Sequence, residues 1–315
     1  MAKKILVIGG TGFVGRNLFE SNIYNLDGDV HYYFLSNKAK LPFDFSNLFL
    51  LNFNYFNESD LNYVFDNYEF SEVWHFLCSS VPSNSFDLIE YSIQNDLLYL
   101  IRVLKLMKEK SVRKLVFLSS GGAVYPDPIK MNWQEDNIGT PSNIYGILKT
   151  TMEHYIKHYH QFSGIDYMIL RISNLFGPHH CSSNNGIINI AIRKCLKGEI
   201  INIVNNGALQ KDFLFIKDFV KIYWALINDS KANNAIINVG SGQLLSINSI
   251  LNIIKCKLPN IQINYLKGQT ADIGLNDFSI DRLNSIVQID FKDLESAIER
   301  TIQWEKLQFK KSNLN

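Results

Sequence analysis

Short apolar runs alternate with amphipathic stretches along most of the chain. Residues 5–8 (Ile-Leu-Val-Ile) are an unbroken, β-rich apolar run. That pattern suits a strand buried on both faces, as in a parallel sheet. Similar runs at 30–35, 48–53, 72–77, 114–118 and 166–171 predict five more strands. Helices are predicted after the first strand, over 58–67, over 87–110, and from Ser142 to about 161. In 87–110 the apolar residues Leu88, Ile89, Ile93, Leu97, Leu100, Ile101, Leu104 and Met107 recur at helical period, predicting one long core-facing helix. Alternating strand and helix predicts right-handed crossovers and a doubly wound parallel sheet.

Beyond 171 the elements shorten. Helices are expected at 187–196, up to 227, at 246–257 and at 291–308, with strands at 235–239 and 262–266. The fold class is α/β: a Rossmann-type doubly wound parallel sheet with a smaller C-terminal α/β substrate lobe. The expected division is a first domain over 1–175, to which the chain returns near 212–240. The lobe takes 176–211 and 241–315 and closes over the sheet's C-terminal edge.

Glycines follow the first strand at 9, 10, 12 and 15, and Asn17-Leu18-Phe19-Glu20 continues as a helix. Strand, glycine turn and helix is the setting in which glycines bind a dinucleotide. The turn needs freedom in φ, the backbone must approach a pyrophosphate, and the helix N-terminus offers unpaired N–H groups. The spacing fits both Gly10-x-Gly12-x-x-Gly15 and Gly9-x-x-Gly12-x-x-Gly15. An acidic residue ending the second strand would bind the adenosine ribose and select NAD. Ser36-Asn37-Lys38 stand there instead, with Lys40 nearby, so NAD and NADP both stay open.

Composition narrows the picture. The 315 residues are 46% hydrophobic and 19% charged, which describes a soluble globular protein able to bury a large core. A net charge of +1 gives no basis for a nucleic-acid or membrane partner. No apolar run approaches the roughly 20 residues of a membrane span, and the N-terminal apolar run is too short for a signal peptide. Cys78, Cys181, Cys195 and Cys256 are scattered, which suits a reducing cytoplasm and no disulfide or zinc framework. His179-His180 lack the further ligands a metal would need, so none is expected. His75, mid-strand, is read as a core histidine.

The fifth strand runs into Ser119-Ser120-Gly121-Gly122-Ala123-Val124-Tyr125, placing hydroxyls where such sheets bind ligands. Tyr145 and Lys149 are spaced i, i+4, so they share one helical face. A cation beside a phenol lowers its pKa toward the working pH, as a tyrosine acid/base requires.

With these residues assembled, the chain resembles the extended short-chain dehydrogenase/reductase family. It is most similar to NAD-dependent epimerases and dehydratases of nucleotide sugars, with UDP-hexose 4-epimerases as the type. The resemblance runs through Gly9–Gly15, the strand end at 75–78, Asn95, the 119–125 run, Tyr145-x-x-x-Lys149, Arg171 to Pro178, and 211–218. It implies that Tyr145 exchanges the proton of the reacting sugar oxygen and that Lys149 binds the nicotinamide ribose. The family serine or threonine aligns with Gly121, a departure for which Ser120 is the substitute, with Ser119 behind it. Cofactor contacts are implied for Gly9, Gly12, Phe13, Val14, Gly15, Ser36, Asn37, Lys38, Leu77, Asn95, Ser119, Tyr145 and Lys149. Substrate contacts are implied for Ser120, Tyr145, Asn174 and Lys211. Lys211 stands where the family carries a phosphate-binding arginine, and Gln269 where a second is expected before Asp272. The implied substrate is a nucleotide sugar, and the implied reaction is epimerisation, with C4 as the carbon. Reduction of a 4-keto-6-deoxy nucleotide sugar by NADPH is the alternative, and a non-catalytic dinucleotide-binding protein the third reading. A dehydratase would carry Asp-Glu in the 120–123 loop, where this chain has none. A homodimer through the 88–110 and 145–161 helices and a role in polysaccharide biosynthesis also follow from the resemblance.

Overall fold

A computed structural model describes residues 2–21, 29–37, 40–42, 46–54, 56–80, 88–126, 132–137, 139–267 and 277–312. The first half builds β1 (Lys3–Ile8), α1 (Phe13–Glu20), β2 (Val30–Ser36), β3 (Leu48–Asn52), α2 (Glu58–Asn67) and β4 (Glu72–His75). Then come α3 (Ile89–Ser92), a π-helical stretch (Ile93–Leu98), α4 (Tyr99–Glu109), β5 (Lys114–Ser120), α5 (Ile144–Ser163) and β6 (Asp166–Ile172). The remainder is β7 (Asn174–Phe176), α6 (Ile187–Lys197), β8 (Ile201–Val204), β9 (Gln210–Phe215), α7 (Ile216–Ile227), β10 (Ala235–Val239), β11 (Leu244–Ser246), α8 (Ile247–Lys257), β12 (Ile263–Leu266), α9 (Asp281–Ile286) and α10 (Leu294–Ser312).

Seven parallel strands form the central sheet in the order β10-β6-β5-β4-β1-β2-β3. The chain leaves β1 outward to β3, then crosses back to β4. That reversal opens a crevice at the carboxyl ends of β1 and β4, where such sheets bind ligands. Side chains alternate through the sheet. Ile5 and Val7 enter one core with Phe19, Trp74 and Tyr223, while Leu6 and Ile8 enter the opposite core with Leu100, Leu104 and Met152. Both faces are therefore dry, which explains the unbroken apolar runs of the strands.

The first core continues into the later elements through Ile188, Ile192, Ile250, Ile254, Ile298 and Ile302. There β11, β9 and β7 form one small sheet, and β12 pairs with β8 in parallel.

The expected single helix over 87–110 is a correction. The π-helical stretch interrupts it, and each extra residue in a turn rotates what precedes it out of register. Ile93 is consequently 39% exposed and Leu88 43% exposed, while Ser92 and Asp96 are buried. Asp87 lies outside the described residues. Strands β7, β8 and β11 and helix α9 were not predicted, because three- to six-residue elements carry little periodicity.

Candidate active site

The glycine turn sits in the crevice. Gly9 adopts φ +79°, and a Cβ there would lie 2.6 Å from the Leu77 nitrogen. Leu77 thus abuts the turn just beyond the end of β4. A Cβ on Gly15 would fall 2.0 Å from the Gly10 carbonyl oxygen, so helix and turn pack backbone to backbone. At Gly12 a Cβ would meet only the Gly9 oxygen, at 3.2 Å, and otherwise open space. Gly12 is also the N-cap of α1; it supplies no side-chain cap, and no acid occupies the first turn. An open cradle at a helix N-terminus with free donors fits a pyrophosphate. Phe13 and Val14 open the helix beside it.

At the end of β2, Ser36 is buried and within 3.4 Å of the Thr11 hydroxyl, and Asn37 is exposed. Lys38 lies outside the described residues, as do Gln269 and Asp272. No carboxylate stands at this strand end among the described residues.

β5 and α5 deliver the chemistry. Asn143 caps α5 by accepting from the Gly146 N–H at 2.8 Å, which fixes the first turn carrying Tyr145. Lys149, one turn on, is 2% exposed. Its ammonium donates to the Leu118 carbonyl at 3.0 Å and lies 5.7 Å from the Tyr145 ring centroid. The Tyr145 phenol lies beside Ser120 and Cys78. Tyr145, Lys149 and Ser120 therefore stand together between the end of β5 and the start of α5. The expected direction of the phenol's pKa is a correction. Burial first, then Cys78 and Asp96, push Tyr145 well above the usual value.

Two expected contacts are directed elsewhere. The Ser119 hydroxyl donates to Glu153 at 2.5 Å, within a buried network in which Glu153 pairs with Arg171 at 2.8 Å. Asn95 donates to the Tyr91 carbonyl of its own helix at 2.8 Å. Asp96 holds the buried position instead. At Gly121, a Cβ would lie 2.9 Å from the Phe278 ring and 3.1 Å from the Arg171 carbonyl oxygen. An aromatic edge thus occupies the space beside the family's hydroxyl position.

Asn174 and Lys211 line a separate cavity of about 460 Å³ in the later elements, with Phe176, Asn202, Ile203 and Phe213. Asn174 also donates to the Asp212 carbonyl at 2.9 Å, joining β7 to β9. His179 pairs with Glu20 at 2.6 Å, and His180 packs on Phe13, so each histidine has its own structural partner. His75 is buried between Tyr99 and Phe117. Its pKa is pushed down to about 4 by burial and by Lys149. Among the described residues no helix is long and apolar enough to cross a membrane.

Sequence reasoning missed Asp96, Cys78 and the Phe278 ring. A readable trace of Asp96 existed: it lies three residues after Ile93 and four before Leu100, on an otherwise apolar stripe.

A glycine cradle and a Tyr–Lys pair thus stand on one parallel sheet. The family model for the NAD-dependent epimerase/dehydratase family matches residues 5–240, and the chain belongs to that family. It is 29% identical over 308 residues to a Methanocaldococcus jannaschii protein provisionally named UDP-glucose 4-epimerase, covering 96% of this chain and 98% of that one. It is 24% identical over 294 residues to the dTDP-4-dehydro-6-deoxyglucose reductase of Escherichia coli, covering 91% and 89%. A UDP-glucose 4-epimerase from Thermotoga maritima, solved with UDP-glucose, shares the fold at a TM-score of 0.87 and 21% identity, covering 97% and 99%.

Proposed function

We propose that the protein is a nucleotide-sugar 4-epimerase in which Tyr145 moves the proton of the C4 oxygen. The observation that carries this reading is the convergence of Tyr145, Ser120 and Lys149 at the mouth of the glycine cradle. Gly9, Gly12 and Gly15 would hold the pyrophosphate, and Lys149 the nicotinamide ribose. The bound nicotinamide supplies the hydride acceptor and donor. Tyr145 would take the proton of the C4 hydroxyl as that carbon is oxidised and return it as the keto group is reduced. Ser120 orients the same oxygen. The Lys149 ammonium lies 5.7 Å from the Tyr145 ring centroid. Lys211 and Asn174 line the cavity suited to the nucleotide diphosphate; a lysine neutralises phosphate but lacks arginine's bidentate fork.

A second reading is a one-way reductase of a 4-keto-6-deoxy nucleotide sugar that uses NADPH. Ser36 at the end of β2 favours it, since no carboxylate there repels a 2′-phosphate. A phenol held protonated also suits a proton donor. The E. coli reductase among the relatives is consistent with it.

Acid release and identification of the cofactor carried by the purified protein separates the two. Stoichiometric NAD(H), with interconversion of UDP-glucose and UDP-galactose or another C4 pair, supports the epimerase. An exchanging site that prefers NADPH supports the reductase. Full turnover by Tyr145→Phe would sink both.

The homodimer belongs to the same reading. Tyr91, Ile93, Leu98, Ile147, Tyr155 and Phe162 are exposed apolar side chains on the π-helical stretch and its neighbours α3 and α5. Sedimentation of the purified protein as a monomer would remove it.

A further inference from the structure

The Asp96 carboxylate is 1% exposed and lies behind the wall of the site. It accepts from the Ser79 N–H at 2.7 Å, the Ser80 N–H at 3.1 Å and the Ser80 hydroxyl at 2.5 Å. The Cys78 thiol donates to it at 3.8 Å. Cys78 in turn meets the Tyr145 hydroxyl. Asp96 is thus one side chain away from the proton-carrying group. Asp96 lies one turn after Ser92 and one turn before Leu100, so it shares the helix face that carries Leu100 and Leu104 into the core, while the π-helical stretch turns Ile93 out.

We propose that Asp96 is a positioning residue of the active site, whose carboxylate clamps the Cys78-Ser79-Ser80 segment as the wall beside Tyr145 and sets a fixed negative charge behind the phenol. The inference rests on the reading of Tyr145 as proton carrier. The groups facing the phenol come from four segments. Lys149 on α5 presents its ammonium. His75 on β4 is neutral at working pH, its pKa being about 4. Cys78 follows β4 and contacts the hydroxyl, and Asp96 comes from the π-helical stretch. Ser120 on β5 lies beside the phenol and favours the phenolate. Asp96 opposes it, so the pair sets how readily Tyr145 gives up its proton. Two functions follow from one carboxylate. The clamp fixes the shape of the wall, and the charge fixes the protonation state of the acid.

Two readouts test this. In the first, ¹³Cζ-tyrosine NMR follows the phenol, with Tyr145→Phe used to assign its signal, and needs no substrate. Asp96→Asn keeps size and removes charge, so the Tyr145 phenol should ionise roughly half a pH unit lower or more than in the unaltered protein. Ser80→Ala removes one hydrogen bond and keeps the charge, so its titration should stay in place. Titration curves of Asp96→Asn and the unaltered protein that superimpose up to about pH 11, flat or sloping, overturn the proposal. In the second readout, the limb of kcat/KM against pH that Tyr145→Phe abolishes should move in the same direction for Asp96→Asn and not for Ser80→Ala. A purely structural role would lower the rate in both variants and move neither limb. If no sugar substrate turns over, the proposed function fails while the NMR arm still decides the role of Asp96.

Discussion

The Glu153–Arg171 pair beneath Ser119 offers a direct test of what holds the end of β5 in place. The Glu153 side chain is 2% exposed and that of Arg171 9% exposed. Arg171 gives Nη2 to Glu153 at 2.8 Å and Nε at 3.2 and 3.3 Å, and Ser119 donates to the same carboxylate at 2.5 Å. Burial alone would lower the guanidinium's pKa, but Glu153 more than compensates and raises it, so Arg171 stays charged. Glu153→Leu therefore leaves a buried cation with no counter-charge, at a cost of about 3–5 kcal/mol. For 315 residues the unfolding entropy is about 0.7 kcal/mol per kelvin. The expected fall in Tm is thus roughly 6 °C at a 4 kcal/mol loss. Glu153→Leu with Arg171→Met removes both charges and should recover half or more of the loss, because an apolar pair replaces a buried ion pair at little cost. Urea unfolding at pH 7 of the two single variants and the double variant closes the cycle. A single-variant loss below about 1 kcal/mol, or a double variant equal to the sum of the singles, would refute the reasoning.

Three further outcomes are expected. Gly121→Ser, which restores the family hydroxyl, should cost about 1–3 kcal/mol by overpacking Phe278 and the Arg171 carbonyl, and trimming the ring with Phe278→Leu should return part of it; equal stability of Gly121→Ser and the unaltered protein would argue against the close packing. His75 and His180 are both held down to about 4, chiefly by burial, against 6.5 in the unfolded chain. The native rings stay neutral while the unfolded chain takes up protons, so stability is complete above about pH 6.5 and falls as the pH drops toward 4, by ~3 kcal/mol per ring. Urea midpoints that do not fall between pH 7 and 5, or a fall that His180→Gln leaves undiminished, would contradict this. Ser36→Asp should weaken NADPH binding by roughly tenfold, about 1.4 kcal/mol, and NADH binding much less; cofactor titrations in which both weaken equally would remove Ser36 from the choice.

The layered fold was readable because buried strands and amphipathic helices leave a periodic record. β1 through β6 fall where the apolar runs are, and 58–67 and 235–239 match their elements end to end. The glycine turn was readable because its spacing reflects backbone demands: positive φ at Gly9 and contact between Gly10 and Gly15. Tyr145 and Lys149 were readable because a helix brings residues four apart together.

Other features depend on contacts between distant segments. Sequence gave no sign that the Ser119 hydroxyl turns to Glu153, 34 residues on, or that Phe278 covers Gly121. Periodicity pointed to a continuous helix over 87–110. The π-helical stretch turns Ile93 outward, and Asp96 on the core face is held by hydrogen bonds from Ser79 and Ser80, outside the helix. The sequence by itself determined the sheet, the cradle and the Tyr–Lys pair, because each is encoded in residues close together along the chain. The tertiary structure alone decided what surrounds the Tyr145 phenol. Burial, Cys78 and the Asp96 carboxylate act through space, and together they reverse the pKa shift that the neighbouring lysine suggested.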